Sequence, residues 1–151
     1  MTALRHYLEC SFAHHRFLIP NDSDLLVESR ENMQIEKKGR AAATRRVQGA
    51  LWRAYALDGE FKPVLESGWT RAVFLETHDS RPVGLLVDDL NVLPVDTLRI
   101  EPFTALGPAP VPGHHLFQAA AMSPRGLTLV LTPSVLALYL RLQEGDYGLG
   151  E

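Results

Sequence analysis

The sequence has a single cysteine, Cys10, among its 151 residues. One cysteine cannot form a disulfide within the chain, and it cannot supply a zinc site built from several thiolates. The sequence also lacks a basic excess, because 15 Lys and Arg residues stand against 18 Asp and Glu residues and the net charge is −3. A broad nucleic-acid-binding surface usually needs such an excess, so the composition disfavours that class of protein.

Long apolar runs are missing as well. The most apolar stretch, Leu127–Leu142, is interrupted by Pro133 and by several polar residues, whereas a membrane-spanning helix needs about 20 apolar residues in succession. The first residues, Met1–Arg5, lack the apolar core of a signal peptide. We therefore expect a cytosolic protein, and its 46% hydrophobic content is ordinary for a folded domain.

The sequence motifs of common catalytic sites do not occur. The chain has no Gly-x-Ser-x-Gly, no Gly-x-x-x-x-Gly-Lys, no Cys-x-x-Cys and no His-Glu-x-x-His. Two histidine pairs, His14 with His15 and His114 with His115, are the strongest metal-binding candidates. Adjacent residues on a strand point to opposite faces, so such a pair does not easily give two ligands to one metal. The sequence therefore predicts no enzyme, no metal site and no cofactor.

What the sequence does contain is a series of short strand-like segments. In Tyr7–Phe12 every second residue is apolar, which predicts a half-buried strand with Cys10 on its buried face. Phe17–Ile19 follows after a short link, so we expect a hairpin. Pro82–Val87 is apolar throughout, which indicates a strand that is buried on both faces.

Further strands are predicted at six places, and the total of eight or nine short strands is typical of small barrels or a sandwich. These segments are Ala54–Leu57, Glu60–Leu65, Arg71–Glu76, Leu90–Val95, Leu116–Met122 and Leu127–Leu131. Asp58 and Gly59 predict a two-residue type I′ turn between the first two, because both central residues of such a turn need positive φ. Pro63 cannot donate a ladder hydrogen bond and is expected at an edge or a bulge.

Two or three helices are expected. A short one through Leu25–Val27 follows a cluster of capping residues, and a second precedes Trp52. A third begins with Thr132 as N-cap and Pro133 as first helical residue, and Gly145 is expected to end it. Its apolar face is predicted to comprise Val135, Leu138, Tyr139 and Leu142.

Four segments, in this order along the chain, resemble the CheW-like domain, the family of chemotaxis coupling proteins. The segments are the opening hairpin Tyr7–Ile19 with the residues up to Val27 and Glu28, the hairpin Leu57–Val64 with Glu66 after it, Val83–Leu90 followed by Ile100–Pro102, and the closing strand and helix Leu127–Leu142. The resemblance spans almost the whole chain, so residues 1–151 are expected to form one such domain.

The resemblance implies a mainly β fold of two small SH3-like five-stranded β-barrels that share a hydrophobic core. It implies no catalysis and no cofactor. Members of this family bridge the cytoplasmic tip of a methyl-accepting chemotaxis receptor and the regulatory domain of a CheA-type histidine kinase, which is itself CheW-like. We expect the same two partners here, in the cytoplasm.

Four positions depart from the family pattern. The resemblance places Asp58 where the family has an arginine implicated in receptor contact, Arg53 where it has a glycine, and Arg71 where it has an apolar receptor-facing residue. The fourth is Thr132, which stands where the family has an aspartate and can still cap the last helix. A reversed charge at a contact costs several kcal/mol against the old partner, so the receptor-facing surface is expected to have changed. A divergent chemosensory pathway, such as one that controls type IV pili and twitching motility, is consistent with this. The residues predicted to contact partners are Val27, Glu28, Arg53, Leu57, Asp58, Gly59 and Arg71.

Two alternatives from other classes remain open. A small β-barrel could bind nucleic acid through a basic segment, for which a solvated connection is the simpler interpretation since no aromatic residue interleaves with its charges. That segment carries Lys37, Lys38, Arg40, Arg45 and Arg46. An enzyme would require the four paired histidines to converge on one metal.

Overall fold

The computed structural model describes residues 6–21, 25–75, 81–94, 99–102, 116–123 and 126–148. These ranges contain thirteen strands, one α-helix and one short 3₁₀ helix. The strands are β1 (His6–Phe12), β2 (His15–Asn21), β3 (Leu26–Ser29), β4 (Gln34–Ile35), β5 (Ala43–Val47), β6 (Ala50–Leu57), β7 (Pro63–Val64), β8 (Arg71–Leu75), β9 (Val83–Val87), β10 (Asp89–Pro94), β11 (Arg99–Pro102), β12 (Phe117–Ser123) and β13 (Gly126–Leu131). Helix α1 spans Pro133–Gly148, and the 3₁₀ helix spans Arg30–Asn32.

The strands form two sheets. The first has the order β10-β1-β2-β13-β12-β11, and the second has the order β3-β8-β9-β6-β5-β4 with β7 paired to β6. The pairs β2–β13 and β6–β9 are parallel, and the other pairs are antiparallel. Five strands per barrel were predicted, whereas the two sheets contain six and seven strands. Two-residue strands such as β4 and β7 are too short for a hydrophobic pattern to predict them.

Both sheets curl until strands far apart in the sheet order meet. In the second sheet, Glu28 on β3 forms an ion pair with Arg45 on β5. In the first sheet, Leu93 on β10 and Ile100 on β11, the two end strands of the order, pack against the same buried cluster. Each curled sheet thus has an inside, and the predicted pair of small β-barrels is confirmed.

Three hydrophobic clusters explain why so many strands are apolar on both faces. One fills the first barrel around Leu18, and another fills the second barrel around Trp69. The largest lies between them and takes residues from both barrels and from α1. All five residues of β9 are buried, because Leu85 packs in the central cluster while the next residue, Leu86, faces the inside of the second barrel. The shared core and the two-sided burial of this strand were both predicted.

The opening hairpin, β8, β9, β10, β12 and β13 lie where the sequence patterns place them. The turn between β1 and β2 is a two-residue loop in which Ala13 and His14 both have positive φ. A second such turn, Gln48 with Gly49, joins β5 to β6. The sequence also predicts turns around residues 77–80 and 124–125 and a stiff proline-rich loop over 107–113, and these lie outside the described residues.

Two predicted helices are wrong. The segment expected to be helical at Leu25–Val27 belongs mostly to strand β3, where Val27 pairs with Val73 of β8. The helix expected before Trp52 is instead the hairpin β5–β6. In both cases cross-strand pairing overrides a weak helix propensity: the first segment pairs with the distant strand β8, and the second pairs within its own hairpin.

The predicted type I′ turn at Asp58 and Gly59 is also wrong. β6 and β7 pair through Leu57 and Pro63, so five residues separate the strands, and the positive φ falls on Phe61. Pro63 does lie in a two-residue strand that pairs with β6.

Helix α1 begins as predicted, since the Leu136 N–H donates to the Thr132 carbonyl at 2.9 Å. It continues through Gly145 to Gly148. Its predicted apolar face is correct for Val135 but wrong for Leu138 and Leu142, which are 41% and 40% exposed. The residues that α1 buries most completely are Leu136 and Leu140, with Ala137 beside them.

Candidate functional site: a partner-binding surface

The seven residues predicted to contact partners lie at three separate places on the strands of the second barrel and on its β6–β7 loop. Val27, Glu28 and Arg71 lie together on the neighbouring strands β3 and β8, where Glu28 pairs with Ala72. Asp58 and Gly59 lie in the loop between β6 and β7. Arg53 lies on β6, four residues before Leu57, which on an extended strand is about 13 Å away.

An open groove of about 710 Å³ runs beside the first of these places. We call it the β3–β8 groove. Its lining residues are Ser29, Arg30, Glu31, Met33, Ile35, Thr70 and Arg71. Ile35 in the groove is 42% exposed, and Val27, two residues before the lining residue Ser29 on β3, is 36% exposed. The groove therefore offers apolar surface next to two arginines and one glutamate.

Arg30 and the buried Trp69 give the groove a fixed wall. The Arg30 guanidinium lies 4.5 Å from the Trp69 ring centroid, and its Nη1 donates to the Trp69 carbonyl at 2.8 Å. The Arg30 N–H donates to the Thr70 carbonyl at 3.0 Å. Trp69 is 1% exposed, so it packs in the core of the second barrel and does not present its ring to a partner. A cation over a tryptophan face is a favourable contact, which orders the arginine before any partner binds.

Glu28 uses its carboxylate inside the barrel. It pairs with Arg45, and it accepts a 2.6 Å hydrogen bond from Asn32 Nδ2. Its side chain is only 13% exposed, so we assign it the role of holding β3 and the 3₁₀ helix to β5. The ion pair with Glu28 also engages the charge of Arg45, one of the five basic residues on which the nucleic-acid alternative depends.

The side chains of Leu57 and Asp58 stabilise the β6–β7 loop and its surroundings and do not form a flat exposed surface. Leu57 is 3% exposed and belongs to the central cluster. Asp58 Oδ1 accepts hydrogen bonds from the N–H of Glu60 at 2.8 Å and of Lys62 at 3.0 Å. These backbone donors, Lys62 first and Glu60 second, hold the pKa of Asp58 below its usual range.

Residues 58–62, which we call the inter-barrel loop, join β6 to β7 in the second barrel and pack against the first barrel. The Phe61 ring lies 5.6 Å from the rings of Phe12 and Phe17 and 6.1 Å from that of Phe117, all in the first barrel. The Tyr139 hydroxyl on α1 donates to the Phe61 carbonyl. Burial, with a smaller contribution from the Asp58 charge, raises the pKa of Tyr139.

The role of Phe61 was not predicted. Its neighbours are distant in sequence, so no local pattern indicates them. The only available signal was a large aromatic residue placed directly after a turn.

The residues considered for catalysis do not form a site in the part of the chain that the structure describes. His14 and His15 are exposed where β1 turns into β2, and His114 and His115 lie outside the described residues. No group of three or more His, Cys, Asp or Glu side chains in the described ranges is placed to hold a metal ion. Cys10 is fully buried, and burial, assisted by Glu9, raises the pKa of its thiol to about 12.

The described helices include none that is both long and apolar enough to cross a membrane.

Comparison with known proteins identifies the fold. No family model and no curated protein matches the chain. Among solved structures, the crystal structure of the scaffolding protein TtCheW from Thermoanaerobacter tengcongensis is similar, with a TM-score of 0.59 and 16% sequence identity. The match covers 90% of this chain and 89% of that chain. The protein therefore has the CheW fold, in agreement with the resemblance seen in the sequence.

Proposed function

We propose that the protein is a non-catalytic adaptor of a bacterial chemosensory system, acting in the cytoplasm as one CheW-like domain over residues 1–151. In this role it couples the tip of a methyl-accepting receptor to the regulatory domain of a CheA-type histidine kinase. The observation that carries the proposal is the two-barrel fold, which matches a protein described as a scaffold over 90% of the chain.

The β3–β8 groove supports the proposal because its chemistry suits a protein partner. Interface cores are enriched in Met, Arg and aromatic residues, and here Met33 and Ile35 lie beside Arg30 and Arg71. The matching surface would carry an apolar strip with a carboxylate next to it. Charge complementarity of this kind selects partners and speeds association.

The change of charge at Arg71 supports a divergent pathway. The side chain is exposed at the groove, where the family resemblance places an apolar residue. A receptor that fits this groove would need an acidic residue opposite. We therefore place the adaptor in a specialised pathway, with control of type IV pili and twitching motility as the proposed example.

The test uses purified protein with the CheA regulatory domain and receptor-tip fragments of the same cell, measured by calorimetry. We expect micromolar binding, which is usual for transient signalling contacts of small area. No binding to either partner at about 100 μM would contradict the proposal.

A variant pair tests where the partner binds. Arg71→Glu should weaken binding at least about tenfold, or about 1.4 kcal/mol, because it reverses a charge at the groove. Arg46→Glu makes the same change at an exposed position of β5 that does not line the groove, and it should leave affinity within about twofold. Equal effects of both variants would refute this placement.

A further inference from the structure

Arg30 was not among the residues predicted to contact partners, but it is the more firmly held of the two arginines that line the β3–β8 groove. Its Nη1 donates to the Trp69 carbonyl at 2.8 Å and lies 3.5 Å from the Ser67 carbonyl oxygen, and its guanidinium covers the Trp69 ring. In the described part of the chain, the Arg71 side chain makes one long hydrogen bond, of 3.4 Å, to the Thr70 carbonyl. A partner that binds Arg30 therefore meets an ordered side chain, whereas Arg71 loses conformational freedom when it is bound.

The contacts of Arg30 leave one edge of its guanidinium for a partner. Its side-chain hydrogen bonds to described residues both come from Nη1, and its partners there are two carbonyl oxygens and an aromatic ring, not a carboxylate. Nε and Nη2 form another edge, and two such parallel donors match the two oxygens of a carboxylate. Because Arg30 is exposed and lines the groove, this edge is accessible to a bound protein.

The rest of the groove determines which residues accompany that carboxylate. Met33 and Ile35 line it, and Ile35 is 42% exposed, so a partner's apolar side chain can cover it. Glu31 also lines the groove, and its negative charge disfavours a second acidic residue nearby. The groove therefore suits a segment that has one acidic residue between apolar residues.

We propose that Arg30 is the specificity-determining residue of the β3–β8 groove. Through Nε and Nη2 it binds the carboxylate of one aspartate or glutamate in an apolar segment of the partner, while Arg71 contributes attraction by its charge. An amide in place of the carboxylate binds poorly, because its NH₂ group would face a guanidinium that has only donors. This inference rests on the proposed adaptor function, since the partner is the protein that the adaptor binds.

The first experiment is an NMR titration of the ¹³C,¹⁵N-labelled protein with a short, end-blocked peptide whose central glutamate is flanked by leucines. A second peptide has glutamine in place of the glutamate. The reporter is the Nε–H resonance of Arg30, recorded at about pH 6, where glutamate is ionised, and at constant ionic strength. We expect the glutamate peptide to shift this resonance saturably, with a dissociation constant of about 1 mM, and the glutamine peptide to bind at least about tenfold more weakly. Equal binding of the two peptides, or an Nε–H resonance that does not move, would overturn the proposal.

Two conservative variants separate paired hydrogen bonding from attraction by charge. Arg30→Lys keeps the positive charge but loses the paired donors, so it should weaken the glutamate peptide at least about tenfold. Arg71→Lys makes the same change elsewhere in the groove and should leave affinity within about twofold. Urea unfolding checks that Arg30→Lys is folded, since Arg30 covers the Trp69 ring. Equal effects of the two variants would contradict a special role for Arg30.

A third variant, Glu31→Gln, keeps the test decisive if Arg30→Lys does not fold. It removes the negative charge in the groove and should strengthen the glutamate peptide about two- to threefold. The control is Glu60→Gln, which removes an exposed carboxylate that does not line the groove and should change nothing. Unchanged affinity of Glu31→Gln, or an equal gain with Glu60→Gln, would count against the placement of the acidic residue in the groove.

Calorimetry with the CheA regulatory domain and the receptor-tip fragments separates this inference from the adaptor proposal. Weakened binding of Arg30→Lys, but not of Arg71→Lys, to one of these proteins would support both. Wild-type binding that Arg30→Lys leaves unchanged would refute the role of Arg30 and retain the adaptor. Binding of the glutamate peptide without binding of either protein would refute the adaptor and support Arg30 as a carboxylate-binding residue.

Discussion

Replacing Phe61 by alanine tests whether the inter-barrel loop holds the two barrels together. Removing a fully buried phenylalanine costs about 3–5 kcal/mol. Phe61 is half-buried, but it contacts three aromatic rings of the other barrel, so we expect Phe61→Ala to lower the free energy of unfolding by about 2–3 kcal/mol. Phenylalanine and alanine both carry a Cβ and therefore have a similar conformational cost at the positive φ of position 61. The difference in stability between them therefore reports the loss of side-chain packing.

Urea unfolding followed by circular dichroism measures this loss, with Leu127→Ala as control. Leu127 is also a large apolar residue, but it is 62% exposed, so its truncation should cost less than about 0.5 kcal/mol. A second variant, Tyr139→Phe, removes the hydroxyl that donates to the Phe61 carbonyl and should lower the free energy of unfolding by about 0.5–1.5 kcal/mol. A cost below about 1 kcal/mol for Phe61→Ala would refute the role of this loop in holding the barrels together.

Two further changes have clear expected outcomes. Gly84→Ala would bring a Cβ to 2.8 Å from the Ala54 Cβ and 2.9 Å from the Phe74 ring, so we expect the free energy of unfolding in urea to fall by about 1–3 kcal/mol. Gly68→Ala is the control, because no atom lies within 4 Å of the added Cβ, and it should leave stability unchanged. Equal effects of the two variants would contradict the close packing at Gly84. Asp58 has a lowered pKa in the folded protein, so its stabilising contribution is present above the unfolded pKa of about 3.9 and is lost as pH falls through the folded pKa. Asp58→Asn should keep an acceptor in the loop and flatten the pH dependence of stability between about pH 5 and 2; an unchanged pH dependence would show that Asp58 is not its source.

The barrels were predictable where the local pattern and the tertiary environment agree. The uniformly apolar Val83–Val87 follows directly from two buried faces. The alternation in Tyr7–Phe12 does place Leu8, Cys10 and Phe12 in the central cluster, but the predicted half-burial is wrong, because Tyr7 and Glu9 on the other face are only 6% and 9% exposed. Strand β3 was not predictable, because Leu26 and Val27 suit a helix locally and become a strand only through pairing with Phe74 and Val73. Helix α1 carries apolar residues on more than one face, so the face that is buried depends on what it packs against.

The candidate site divides in the same way. Glu28 and Arg71 were both singled out, and strand pairing between β3 and β8 does bring their positions together. Arg53 was grouped with them only through the family resemblance, and the strand geometry separates it. The β3–β8 groove could not be predicted, since it depends on the 3₁₀ helix and on β4, neither of which has a clear sequence pattern.

The Asp58 side chain orders the inter-barrel loop. Asp58 accepts two backbone hydrogen bonds within its own loop, and that loop places Phe61 among the aromatic rings of the first barrel. An arginine side chain has no acceptor and could not make those bonds. The order of the loop therefore depends on a side-chain acceptor at position 58. In the proposed adaptor, the charge of Arg71 remains exposed at the β3–β8 groove, and Arg71→Glu is the direct test of whether it contacts a partner.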